Sequence, residues 1–209
     1  DLRMSRGLGD VYKRQPVAGD VKYVDRNGDG VVDDNDRDII GNPNPDFTYG
    51  FQTKVSWKSL SLSASFNGVQ GRDILNVGNR YNNTPGTKSN NVTRKAFQNM
   101  WTDENPSNLY PKSTFVVQNM VMDRYVEDGS YLRCSDITLS YVLPAKWTNK
   151  IGIKNTSVYA SVKNAFVITD YSGYDPEVNS FAFDGLRPGV DMNSYPTPRS
   201  FVFGLNLTF

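Results

Sequence analysis

Between Asp25 and Asp36 the chain reads Asp-Arg-Asn-Gly-Asp-Gly-Val-Val-Asp-Asp-Asn-Asp, and these residues have both the types and the spacing to do chemistry. The pattern D-x-[DN]-x-[DN]-G is that of a calcium loop. Calcium takes about six to eight hard oxygen ligands, and a glycine in the middle of such a loop permits its sharp turn. Asp25, Asn27 and Asp29 supply the first three side chains, Gly30 the turn and Val31 a backbone carbonyl, while Asp33 and Asp36 complete the set. Five Asp carboxylates within 12 residues repel one another unless a cation sits among them. The expected role of Ca2+ is therefore to stiffen a loop, not to catalyse. A plain Asp/Asn/Gly-rich turn that binds nothing has the same composition, and both readings stand at this point.

The last ligand position holds Asp36 where EF-hands place a bidentate Glu, so the loop resembles the dockerin variant. No amphipathic helices flank it, which argues against a paired calcium sensor. Elsewhere the chemistry is sparse. Histidine is absent, which removes Ser-His-Asp triads, His-ligated zinc and imidazole bases. No spacing among the 22 acidic residues singles out a glycosidase pair, and the chain reads as a non-enzyme. With 23 basic residues the net charge is +1 and there is no long basic run, so nucleic-acid binding has no electrostatic support. Cys134 is the only cysteine, so no internal disulfide forms.

The elements that must position the loop are strands. Hydrophobic residues make up 38% of the chain, mean hydropathy is −0.53, and no run approaches the roughly 18 apolar residues of a membrane helix. Alternation is clear instead. Phe47, Tyr49, Phe51, Val55 and Trp57 share one face, and after Lys58-Ser59 the pattern resumes as Leu60, Leu62, Ala64 and Phe66, which predicts a hairpin. Further strands are predicted over 130–143 and 156–169. In the last, from about Arg199, residues 201, 203, 205, 207 and 209 are all Phe or Leu. The connections alternate in length: short at 58–59, long at 71–129, short near 144–155 and long at 170–197. The segment 71–129 shows little periodicity beyond short helical pieces near Asn91–Trp101. Tight turns on one side and long loops on the other, with strands of about 10 residues, are the marks of an outer-membrane barrel. The alternative is a soluble β-sandwich whose apolar faces cover one another. Loop asymmetry, aromatics near the strand ends and the terminal Phe209, which resembles a barrel-assembly signal, favour the barrel.

Five ordered stretches resemble the C-terminal part of the SusC/RagA group of TonB-dependent outer-membrane transporters of Bacteroidetes. They are GDVKYVDRNGDGVVDDNDRDIIGNPNPDFTYGF (19–51), FNGVQGRDI (66–74), YVEDGSYLRCSDITLSYVLP (125–144), VYASVKNAFVITDYSGYDPEV (158–178) and SYPTPRSFVFGLNLTF (194–209). Cys134 departs from the aliphatic residue usual there. The resemblance implies an all-β fold: an antiparallel transmembrane barrel of about 22 strands, of which this chain supplies about five, with long extracellular loops. It implies import of glycans or peptides across the cell outer membrane, with a SusD-like surface lipoprotein as partner. Energy would come from the TonB complex through N-terminal parts, including a plug, that this fragment is expected to lack. Outer-membrane lipid is the remaining partner. About five strands cannot close a barrel alone, for which about eight is the minimum.

The expected organisation has three parts. Residues 1–18 are a non-native or disordered leader, whose first 15 resemble translated adapter sequence or an ordinary tail. Residues 19–46 are an extracellular Asp-rich calcium-type loop, and 47–209 are barrel strands and loops. Tyr171, Tyr174, Phe181, Phe183 and Tyr195, on the last long loop, are candidate contacts for a sugar ring or a partner, or pack the loop on itself. Lys163 and Asp136 on polar strand positions are expected to pair or to line the lumen. The second functional reading is a secreted, calcium-stabilised β-sandwich carbohydrate-binding module.

Overall fold

The computed structural model describes residues 17–84, 91–113, 121–148, 153, 155–177 and 179–208. They fall into two compact units. One gathers the residues up to Pro43 with Asp73–Glu127 and Val178–Ser194; the other holds Asn44–Arg72, Asp128–Glu177 and Tyr195–Phe209.

The second unit is a single five-stranded sheet of β1 (Phe47–Trp57), β2 (Leu60–Gln70), β5 (Tyr131–Val142), β6 (Asn155–Thr169) and β8 (Ser200–Thr208), antiparallel throughout and in that spatial order. Lys58, at the tip of the first hairpin, adopts φ 54°, as tight two-residue turns demand. The pairing aligns the alternation of every strand. Val55 faces Leu62, Leu62 faces Leu139, Leu139 faces Ala160 and Ala160 faces Phe203, so one apolar stripe crosses all five strands. The opposite face carries hydroxyls and charges: Ser63 beside Thr138, Thr138 beside Ser161, and Asp136 beside Lys163.

The register shifts in two places, between β2 and β5 and between β5 and β6. Ser65 and Phe66 face Asp136 and Cys134, which leaves Ser135 as an extra residue whose hydroxyl donates to the Ser65 carbonyl at 3.1 Å. Such a bulge re-aims the side chains beyond it. It brings fully buried Cys134 opposite both Phe66 and Phe166, whose rings meet edge-on 6.4 Å apart. A small side chain is what that space admits, which accounts for cysteine at this position. Two glycines also seat rings: Tyr49 lies across from Gly68 and Tyr159 across from Gly204. A Cβ on either glycine would come within 2.3 Å of its tyrosine ring.

The first unit has a three-stranded sheet in the order β4 (Val126–Asp128), β3 (Asp73–Asn76) and β7 (Val190–Asp191), with β3 and β7 parallel. Two short helices, α1 (Val77–Asn83) and α2 (Arg94–Asn99), are capped by Asn76 and Thr93. Leu75, Met122 and Tyr125 form its core, packed against Val21, Tyr23 and Val190 among others. The segment 71–129 thus carries more structure than its lack of periodicity predicts. Elements of three to seven residues are too short to show a period, and packing stabilises them instead. The helical piece expected near 91–101 is α2.

The apolar face of the five-stranded sheet is uncovered. Phe203 is 79% exposed and Phe51 52%, with Trp57, Leu62, Ile168 and Leu205 exposed beside them. A β-sandwich would bury these side chains, so the exposed face gives the soluble-sandwich alternative no support. No helix among the described residues is long and apolar enough to cross a membrane. An apolar face that lipid covers has a measurable signature. Phe203→Arg in the complete protein should cost about 2–4 kcal/mol when unfolding is followed in lipid vesicles, and Ser140→Arg on the polar face under about 1 kcal/mol. Equal costs for the two would argue against a lipid-facing stripe.

Candidate functional site

The Asp-rich loop folds around its own carboxylates. Asp25 accepts from the N–H of Gly28 at 2.7 Å and of Gly30 at 2.8 Å, one oxygen each. Asn27 accepts from Asp29 N–H at 2.9 Å, and Asp29 from Val31 N–H at 2.8 Å. Asp36 closes the loop, taking the N–H of Arg26 at 2.8 Å and of Asp33 at 2.7 Å. Gly30 sits at φ 83°, where an L side chain would be strained. A single 3₁₀ turn, Asp34–Asp36, capped by Asp33, ends the motif. The Asp33 N–H leads the set of donors that hold the Asp36 carboxyl below the usual carboxylate range. Slight burial opposes it, while the Arg26 and Asn27 N–H groups and the Asp25 side chain assist. Among the described residues, no three or more acidic side chains converge as a ready metal cluster.

The five candidate contact residues divide between the two units. Tyr171, Tyr174 and Tyr195 belong to the unit of the large sheet, and Phe181 and Phe183 to the other. Tyr171 is 5% exposed and lies over Gly173, so it has no ring face to offer and drops out as a contact residue. Tyr174 and Tyr195 are exposed. Phe183, 86% exposed, meets Phe181 edge-on at 6.1 Å. Phe209 lies outside the described residues.

The polar face of the large sheet joins Lys163 to Asp136 at 2.6 Å, with Ser161 and Thr138 each donating to the same carboxylate at 2.8 Å. A second network is buried, and no sequence pattern announces it. Arg133 on β5 donates to Asp175 at 2.5 Å and lies 2.7 Å from Glu177, with the Arg133 and Asp175 side chains only 5% and 3% exposed. Glu177 also accepts from the Tyr131 hydroxyl at 2.6 Å and from Asn67 at 3.1 Å. Asp175 takes the N–H of Glu177 and of Thr197, both at 3.0 Å. One carboxylate thus joins Arg133 on β5 to the backbone at Glu177 and at Thr197.

Comparison with known proteins gives the context for this geometry. The chain is 35% identical over 201 residues to a TonB-dependent receptor of Formosa agariphila, a match that spans 92% of this chain and 20% of the relative. It is 34% identical over 206 residues to TonB-dependent receptor SusC of Bacteroides thetaiotaomicron, across 95% of this chain and 18% of SusC. A solved structure of the RagAB peptide importer in an open-open state superposes with TM-score 0.68 and 31% identity, over 82% of this chain and 18% of the other. The chain therefore spans about a fifth of the length of these relatives. No family model matches it.

The buried clasp has a defined pH response. Burial pushes the Asp175 pKa up, but the Glu177 and Thr197 N–H groups and Arg133 outweigh it, and the carboxyl titrates below an ordinary Asp. Its stabilisation is complete above the unfolded value of about 3.9 and is lost as pH falls through the folded value. Protease cleavage within 178–196 of the complete protein should rise below about pH 4, and Asp175→Asn should flatten that rise. Arg133→Ala, which strands a buried carboxylate, should cost about 3–5 kcal/mol in urea unfolding.

Proposed function

The chain belongs to the SusC/RagA family of TonB-dependent receptors, outer-membrane β-barrel proteins, and from that premise we propose that it forms part of the wall and outer loops of a nutrient importer. The family members it matches are receptors and transporters rather than enzymes. The observation that carries the reading is the single-layer antiparallel sheet whose apolar face is left exposed while its other face holds hydroxyls and an ion pair. In this reading the five strands belong to a closed barrel of about 22. β8 runs toward the periplasm, and the long connections lie outside the cell. The cargo is a glycan or a peptide. A SusD-like surface lipoprotein covers the outer mouth, and TonB acts on parts of the receptor outside this segment.

The test uses the complete receptor gene. Its deletion should abolish growth on one class of oligosaccharide or peptide, with restoration by the intact gene, and a SusD-like lipoprotein should co-purify with the receptor. Normal growth on every polymeric nutrient tried, with no lipoprotein retained, would overturn the importer reading.

We also propose that the Asp-rich loop takes one Ca2+, held by Asp25, Asn27, Asp29, Asp33 and Asp36 with the Val31 carbonyl. The donor set suits a hard cation, since every ligand is oxygen. The backbone N–H groups that Asp25, Asp29 and Asp36 accept already orient these carboxylates. Bound calcium would relieve the repulsion among them and stiffen the loop. Chelator should increase protease nicking at 25–36 in the complete receptor, and added calcium should suppress it; identical nicking in both conditions would remove the site.

A further inference from the structure

One end of the five-stranded sheet differs in charge from the other. Its two turns lie side by side: the Val142 N–H donates to the Ser59 carbonyl at 2.8 Å, which ties the end of β5 to the hairpin tip at Lys58 and Ser59. The helical turn Ala145–Thr148 follows, and β8 finishes at the same end, with Thr208 opposite Asn155. In sequence the connections 58–59 and 143–154 hold Lys58, Lys146, Lys150 and Lys154 and no Asp or Glu. The opposite strand ends are flanked by Asp46, Asp128 and Asp170 as well as by Arg72 and Arg199.

Two of these ammonium groups stand beside exposed indoles. Lys58 Nζ lies 4.9 Å from the ring centre of Trp57, which is 69% exposed and shares the face of Phe51 and Val55. Exposed Lys146 adjoins Trp147, which is also exposed. Among the described residues neither lysine has a carboxylate partner, unlike Lys163 and Lys112, which pair with Asp136 and Asp20. Indoles settle where hydrocarbon meets headgroups, and a lysine stem there carries its charge to the phosphates. A headgroup phosphate supplies the acceptor that this protein surface lacks. A zwitterionic headgroup brings its own ammonium, which opposes the lysines, whereas a net-anionic one does not. We propose that this end of the sheet binds anionic phospholipid of the phosphatidylglycerol class in the periplasmic leaflet, through Lys58 and Lys146 beside Trp57 and Trp147. The assignment rests on reading the sheet as barrel wall with β8 running toward the periplasm.

The test is native mass spectrometry of the complete receptor in detergent, supplied with equal amounts of palmitoyl-oleoyl phosphatidylglycerol and phosphatidylethanolamine. The anionic lipid should be retained in preference. Lys58→Gln and Lys146→Gln should each lower that preference by about fivefold, the effect of removing one lysine from an anionic surface. Arg in place of both lysines should preserve it, and Arg199→Gln at the opposite strand ends should leave it unchanged. In the unaltered receptor, added salt should erode the preference, an arm that stands even where a Gln variant fails to assemble. Equal retention of the two lipids, or a preference that ignores salt or both lysines, overturns the proposal. So does lipopolysaccharide displacing phosphatidylglycerol at these lysines. An epitope inserted between Lys58 and Ser59 separates the two readings. Labelling of intact cells overturns the direction of β8 and the lipid site with it. Labelling only after permeabilisation, with no lipid preference, removes the lipid site alone.

Discussion

Inside a bilayer no water is present to satisfy a peptide group, so every backbone N–H and C=O of a spanning strand must find its partner on a neighbouring strand. The rest of the architecture depends on that constraint. It explains why the five long strands pair antiparallel along their length, with only local bulges such as the one at Ser135. It also explains why side-chain polarity divides by face. With the backbone satisfied within the sheet, the outward side chains need only be apolar, and the inward ones are free to be Ser, Thr or an Asp136–Lys163 pair. The outer edges of β1 and β8 follow the same rule and require neighbours beyond this segment.

Much of the large sheet was legible in the sequence because period-two alternation is a local property. Phe47 to Trp57 and Leu60 to Phe66 state their own face, and Lys58-Ser59 states the turn. The Asp-rich loop was legible for a similar reason, since its donors and acceptors lie within 12 residues of one another. What alternation cannot show is a partner far away in the chain. Arg133 meets Asp175 across 42 residues, and Asp175 meets the Thr197 N–H across 22, with no repeating pattern to announce either. The bulge at Ser135 was invisible for a related reason: it is defined by what β2 does opposite it. The short strands β3, β4 and β7 exist only because they pack together.

The two units manage charge in different ways. In the large sheet the buried ions, Arg133 and Asp175, are few and saturated by neighbours, as the cost of burying an ion requires. In the other unit the ion pairs Arg26–Asp38 and Arg37–Asp34 are solvent-accessible, and their contribution is orientation more than stability. Asp33 and Asp36 of the Asp-rich loop also line a cleft beside it, so loop order and cleft shape are linked.

Cys134 lies fully buried beneath the rings of Phe66 and Phe166. A thiol sealed in this way reacts poorly with alkylating reagents, which need an accessible thiolate. Since it is the only cysteine in this stretch, a single reporter cysteine placed on an exposed loop can carry a fluorophore or spin label while the native residue stays silent. Distances between the loops and a partner could then be measured with the natural packing of the wall left intact.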